Sequence, residues 1–236
     1  MAQKQPRVTR NTEKIIDHDA AIRKDLARGL INVRALARFV QLLLGPSASL
    51  DAIISAIHRY RGFLREELKE ESRVNALLGR TRLNLRNKVV DITLTNEARV
   101  QAKLAELVRL IDFAKGEILR VVQGVESIKL IVDEKNLEKV LESFNKAEVI
   151  SILRDLSEII ASFPKEAEKT PGIVAKIATE LSLNDINLTE ILSCAPELIL
   201  VVSEKEGLRA YQVIQDIAAE SMPQIKSSKH TQGTLK

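Results

Sequence analysis

Hydrophobic positions along this chain recur with two periods, one near 3.6 residues and one of two, and the periods exchange several times. Over residues 11 to 60 the helical period dominates. Asn11 or Thr12 caps a short helix carrying Ile15 and Ile16, and a second helix over Ala20 to Arg28 turns Ile22 and Leu26 inward before Gly29 ends it. Asn32 then opens Val33 to Leu44, with Leu36, Phe39, Val40 and Leu43 as the buried stripe. Gly45-Pro46-Ser47 breaks the chain, and Ser49 caps a helix from Leu50 to about Tyr60 with Ile53, Ile54 and Ile57 inside. A charged helix, Leu64 to Leu78, follows.

From Val89 the periods mix. Val90, Ile92 and Leu94 alternate as a strand, and Ala98 to Ala114 is helical with Leu104, Leu107, Val108 and Ile111 inward. Two short strands, Ile118 to Gln123 and Ile128 to Val132, flank the turn at Gly124, and Asn136 caps a helix through Phe144. The same order then returns. Leu156 to Phe163 reads as a strand, and Ile173, Val174, Ile177, Ala178 and Leu181 form a helical stripe. From Ile186 the period is two, Ala195-Pro196-Glu197 turns the chain into Leu198 to Val202, and a last helix spans Gly207 to Ala219. Strand, helix, strand, strand, helix is the ferredoxin-like split unit, and its repetition predicts a tandem pair. The fold class expected is α+β: an N-terminal helical, winged-helix-like domain followed by two tandem ferredoxin-like units. The divisions expected are a loose arm over 1–10, the helical domain over 11–88, the two units over 89–154 and 155–221, and a mobile tail over 222–236.

Residues 156–219 carry Pro171-Gly172 at the start of the first helix and Ile186-Asn187-Leu188 ahead of the second strand. In these features the segment resembles an ACT domain, and residues 89–154 resemble a degenerate copy without the Pro-Gly turn. The resemblance implies a small regulatory module that pairs with a copy of itself and often holds an amino acid at the pair interface. It implies a site at Thr170, Gly172 and Ile173, faced by Asn184, Asp185 and Asn187, with backbone N–H groups taking a carboxylate and side-chain oxygens an amine. Two positions depart from the family: Thr170 stands where an Asp is common, and Asp185 where a Gly is usual. Amino-acid binding and a fold used for dimerisation alone both stay open here.

Charge separates the front from the back. Residues 1–94 hold 18 Lys and Arg against 10 Asp and Glu, a net +8, and the remainder hold 18 against 22, a net −4. A basic head on an acidic body suggests a polyanion partner. The helices at 33–44 and 50–60 read as a helix-turn-helix whose second helix offers Ser49, Ser55, His58, Arg59, Arg61 and Arg65 to phosphate and base edges. Arg80, Arg82, Arg86 and Lys88 lie on an extended basic segment that would form a wing along the DNA backbone. Base-stacking recognition is poorly supplied, because aromatic residues make up 3% of the chain and Trp is absent.

Catalytic and metal chemistry is not indicated. His18, His58 and His230 lack ligand spacing to one another or to Cys194, which reads as a packed thiol, and no phosphate loop, dinucleotide glycine pattern or nucleophile elbow is present. With no apolar run of about 18 residues and no signal-like start, the expectation is a cytoplasmic protein that does not meet the membrane. The function expected is a homodimeric, amino-acid-responsive regulator that binds double-stranded DNA and needs no cofactor. A dimeric RNA or ribonucleoprotein assembly factor, or a protein-protein regulator, uses the same parts.

Overall fold

The structure, a computed structural model, describes the backbone of residues 4–220 and side chains over 7–64 and 71–219, so the tail expected over 222–236 lies outside the described residues. The chain divides into two compact units, Met1–Val74 and Asn75–Lys236. The boundary expected near residue 88 therefore moves upstream, because the basic segment after Leu78 joins the sheet of the second unit.

The first unit is helical: α1 (Lys4–Asp17), α2 (Ala20–Arg28), α3 (Val33–Leu44), α4 (Leu50–Phe63) and the start of α5 (Arg65–Leu78). Helix α1 begins at Lys4, where a loose arm was expected to reach Arg10. Polar side chains place the boundaries. The Asp19 carboxylate accepts the Ala21 and Ile22 N–H groups at 2.9 and 3.0 Å, and the Asn32 carboxamide oxygen accepts those of Arg34 and Ala35 at 3.0 and 3.1 Å. Gly29 ends α2 with φ 79°, a left-handed conformation that glycine adopts without cost. The core gathers Ile16, Leu26, Leu36, Ala37, Val40, Ile53 and Ile57. Phe39 and Leu43, expected inside, are 47% and 59% exposed. Apolar residues run around most of α3, so the sequence period alone does not select the buried side.

In the second unit the strands are β1 (Arg82–Thr95), β2 (Leu119–Gln123), β3 (Ser127–Asp133), β4 (Val149–Ser162), β5 (Glu190–Cys194) and β6 (Glu197–Ser203). Helix α6 (Ala98–Leu110) follows β1, α7 (Leu137–Leu141) follows β3, α8 (Ile173–Leu183) follows β4 and α9 (Glu204–Glu220) follows β6. The two expected ferredoxin-like units are present, but they are not separate. All six strands form one sheet in the order β2-β3-β1-β4-β6-β5. Strands β1 and β4 have 14 residues each and serve both halves. The second half of β1 pairs with β3, and the second half of β4 pairs with β6; the first half of each completes the other's sheet, as in Arg82 opposite Ser162 and Ile92 opposite Ile152. Midway along each, Lys88 and Asp155 take positive φ of 58° and 53°. These bulges let one strand change its alternation where it passes from one half to the other.

The helices α6 and α7 cover Val90, Ile92, Leu94, Ile128, Leu130 and Val132, all fully buried. At about 1.5–3 kcal/mol for each side chain of this size, the cluster outweighs the surface ion pairs, which contribute about 0–1 kcal/mol each. Helix α9 comes close enough to β4 that a Cβ on Gly207 would stand 2.5 Å from the Ser157 hydroxyl, which itself donates to the Asn87 carboxamide oxygen at 2.8 Å. On the other face of the sheet Val89, Ile118, Ile131, Leu156 and Val201 form a second cluster. Two ionic bridges flank it. Lys129 joins the buried Asp91 at 3.1 Å and also Glu190, and Arg120 grips the buried Glu158 with two bonds of 3.2 Å. Burial pushes the Asp91 carboxyl up, against the pull of Lys129.

Two expected details change. The strand read from Ile186 begins at Glu190, because Asp185 turns with φ 55° and the Ile186 N–H bonds the Leu181 carbonyl at 3.0 Å, closing α8. Cys194, expected packed, is exposed on the edge strand β5.

Glu158→Leu strands Arg120 without its acid and lowers stability by about 3 kcal/mol, whereas Glu158→Leu with Arg120→Leu recovers most of the loss in urea unfolding. Glu117 lies 2.8 Å from Lys135 and accepts the Asp112 N–H and the Asn136 amide at 2.9 Å each; these bonds, Lys135 first, hold its pKa at about 2 against an ordinary 4.5. A carboxyl depressed on folding stabilises the fold above its unfolded pKa and loses that contribution as pH falls toward 2. Glu117→Gln should lower the melting temperature at pH 7 and flatten its decline between pH 5 and pH 2.

Candidate functional site

The chain leaves β4 at Ser162 and makes a short 3-10 turn over Lys165–Lys169 before the Thr-Pro-Gly step. Thr170 is buried, its N–H bonds the Ala167 carbonyl at 3.0 Å, and its hydroxyl donates to the Glu166 carbonyl at 2.9 Å. Pro171 follows, and Gly172 takes φ 97° as the residue before α8, with no side chain capping the helix. A residue with a Cβ is strained at that φ, which explains the Gly. The N–H groups of the first turn of α8 are thus left without a side-chain acceptor and form a positive end.

Against this loop stands the β5–β6 hairpin, pinned where the Phe163 N–H bonds the Pro196 carbonyl at 2.9 Å. Loop and hairpin enclose a groove of about 360 Å³. Its walls are Phe163, Pro171, Ile173, Val174, Pro196 and Leu198, its hydroxyls come from Thr170 and Ser193, and Glu168 and Glu197 supply carboxylates.

Of the six positions expected to bind a ligand, Thr170, Gly172 and Ile173 line this groove. Asn184, Asp185 and Asn187 do not line it. They follow the far end of α8, which at 11 residues and 1.5 Å per residue is about 16 Å long. There the Asn184 amide donates to the Glu180 carbonyl at 2.9 Å, which terminates the helix. The hairpin wall of Ser193, Pro196, Glu197 and Leu198 was missed. Its turn was legible at Ala195-Pro196, but only the strand order brings that turn beside residue 172.

The corresponding place in the first half is closed. Helix α6 starts only three residues after β1, and the Asn96 amide donates to the Gly124 and Val125 carbonyls of the β2–β3 turn at 3.0 and 3.1 Å. Gln101 and Gln123 both donate to the Asn96 oxygen. Side-chain bonds thus fill the gap that the longer loop leaves open in the second half.

The expected nucleic-acid residues divide between the units. Ser49 precedes α4, and Ser55, His58 and Arg59 are exposed on it, with Arg59 also donating to the Thr9 hydroxyl at 3.2 Å. Arg61 lies over Gly29, where a Cβ would run into its guanidinium. The side chain of Arg65 lies outside the described residues. The wing is not formed. Among the described residues of the first unit there is no strand, and Arg82, Arg86 and Lys88 sit on β1, at the centre of the sheet, with Arg80 just ahead of it. The apolar run Val89–Leu94 draws the whole segment into that sheet. Arg86 donates to Asp133 and to the Gly116 carbonyl at 2.7 Å each, and Lys88 lies 3.1 Å from Glu204, whose hydrogen bond raises its pKa. Both cations are thus paired within the second unit.

Among the described residues no group of three His, Cys, Asp or Glu side chains is placed to hold a metal ion, and no helix is long and apolar enough to cross a membrane.

No protein-family model and no curated protein matches the chain. Solved structures do show likeness over part of it. The ligand-free regulatory subunit of aspartate kinase from Thermus thermophilus is 15% identical, with a TM-score of 0.47 over 57% of this chain and 95% of that one. A protein of unknown function from Vibrio cholerae, described as a possible transport protein, is 16% identical, with a TM-score of 0.45 over 63% of this chain and 98% of that one. Aspartokinase III of E. coli in complex with lysine and aspartate is 17% identical, with a TM-score of 0.40 over 59% of this chain and 32% of that one. The functional reading rests on the groove and on the helical unit's surface.

Proposed function

We propose that the chain is an amino-acid-responsive regulator whose helical unit binds double-stranded DNA. The observation that carries the proposal is the groove at Thr170–Ile173, open in one half of the sheet and closed by Asn96 in the other. Its size lies within the range of small-molecule sites, and its chemistry suits a zwitterion. The carboxylate would sit at the uncapped start of α8, the ammonium beside Glu168 or Glu197, and an apolar side chain against Ile173, Val174 and Leu198.

Helix α4 supplies the nucleic-acid side of the proposal, with the polar face formed by Ser55, His58 and Arg59. The strands β2 and β5 end the sheet, so a second copy adds at these edges and gives a dimer with two heads for a two-fold DNA site. A bound amino acid changes DNA affinity only by favouring one arrangement of the protein. Displacement of the β5 wall has a route inward, since Glu190 at the start of β5 is joined to Lys129 and through it to Asp91.

Calorimetric titration with the common amino acids tests the groove. At least one should bind saturably, its carboxamide should bind at least tenfold more weakly, and Val174→Trp, which fills the groove from an exposed position, should abolish the heat. No binding by any of them at millimolar concentration would remove the ligand from the proposal. Fluorescence anisotropy on duplex DNA across a salt series tests the head. Binding should weaken steeply with salt, and Arg59→Ala should reduce the log–log slope by about 0.9 if Arg59 touches one phosphate. Tighter binding to matched duplex RNA would favour an assembly factor, and no binding to either at low salt would leave a protein-protein regulator.

A further inference from the structure

The first unit holds a second groove, of about 410 Å³, between the α1–α2 corner and α3. Its floor is apolar, made by Ile15, Ile22, Phe39 and Leu43. Beside it on α3 stands Leu42, 83% exposed. Phe39, Leu42 and Leu43 together form a contiguous apolar strip, because steps of 100° per residue place Leu43 and Leu42 on either side of Phe39, so that the strip runs from Leu43, next to the buried Leu36, round to Leu42 on the side opposite the buried Leu36, Ala37 and Val40. A strip of this kind on a soluble helical unit marks an interaction surface.

The rims give the sign of the partner. Along α1, Arg7, Arg10 and Lys14 fall on one face at spacings of three and four, and His18 continues the row. Along α3, Arg34 and Arg38 are one turn apart and border Leu42. All are exposed, and none of the five Arg and Lys side chains makes an ion pair with a described residue. The acids nearby are engaged: Asp19 caps α2, and Asp17 pairs with Arg23 at 3.4 Å and accepts from Tyr60. Two cationic rows therefore flank one apolar channel.

We infer that this groove docks an acidic amphipathic helix from a partner protein. Apolar residues of the partner at positions i, i+3 or i+4 and i+7 would pack on Phe39, Leu42 and Leu43, and Glu or Asp on its flanks would meet Lys14 and Arg38. A second copy of this chain is a poorer occupant, because two-fold pairing of the surface would set like-charged rows against each other. Duplex DNA would leave the apolar strip unpaired. The surface is separate from the polar face of α4, so the helical unit can hold a partner without using the residues proposed for DNA.

The test uses the full chain and a fluorescein-labelled synthetic helix of about 20 residues, with Leu at the stripe positions and Glu on both flanks. The control is a scrambled peptide of the same composition. The amphipathic peptide should bind saturably below 1 mM and at least tenfold more tightly than the scramble. Binding should weaken with salt and fall at least tenfold in Leu42→Ser and in Lys14→Glu with Arg38→Glu. These positions are exposed, so the variants should keep the wild-type circular dichroism and melting temperature. Equal affinity for the two peptides, no saturable binding by 1 mM, or indifference to the substitutions overturns the inference. Sedimentation velocity without peptide adds a further arm. Conversion of a dimer to a monomer by Leu42→Ser would assign the strip to a second copy, and loss of binding to anionic lipid vesicles in the same variant, with no peptide binding, would assign it to a lipid surface.

Discussion

The second unit depends on the exchange between β1 and β4. Each strand is too long for one ferredoxin-like unit, and each lends its first half to the other's sheet. The halves therefore share a hydrogen-bonded centre, and neither completes its sheet without the other. The bulges at Lys88 and Asp155 make the exchange compatible with burial, since a strand that kept one alternation throughout would turn apolar residues outward on one side of the crossing. Behind the sheet, Asp91 and Glu158 are each the third residue from the start of their strand's second half. Their burial is tolerable because Lys129 and Arg120 answer them, and those bridges run from β3 to β5 and from β2 to β4. The ionic contacts thus tie the two halves together across the same face.

Built on one plan, the halves differ in how firmly their loops are fixed. In the first, Asn96 fastens the start of α6 to the β2–β3 turn, Glu117 gathers Lys135 and Asn136, and the buried Glu148 accepts Lys103 at 2.7 Å and the Asn145 N–H at 2.8 Å. The bond from Lys103 is the main cause of Glu148's lowered pKa. In the second, ten residues separate β4 from α8 and enclose space instead of filling it. The loop of the first half is thus held by side-chain bonds, and that of the second leaves a groove open. The helical unit shows a similar division of labour between a core of Ile and Leu and two exposed faces, one polar on α4 and one apolar on α3.

Local chemistry wrote much of this directly into the sequence. The N-cap at Asn32, the turn at Gly172, the repeated strand-helix-strand-strand-helix order and the ends of most helices follow from contacts within a few residues, so periodicity and turn chemistry reveal them. Half of the candidate groove was legible for the same reason: Thr170, Gly172 and Ile173 belong to one short segment. The rest was not. The hairpin wall at Ser193–Leu198 joins it only because β6 pairs with β4, and Asn184, Asp185 and Asn187 are removed from it by the length of α8.

What the sequence determined alone was therefore the inventory of elements, the basic front and the acidic back. What only the tertiary structure decided was pairing. Arg82 to Lys88 read as a wing or as a solvated connector, because a short basic extended segment does not say locally what it pairs with. The choice fell to Val89–Leu94, whose burial against β3 and β4 carries the preceding residues into the sheet. The same holds for α3, where apolar residues on most sides left the buried face to be selected by Ile16, Leu26 and Ile53 packing against Leu36 and Val40. Hydrophobic burial has no direction of its own, and partners distant in the chain supplied it.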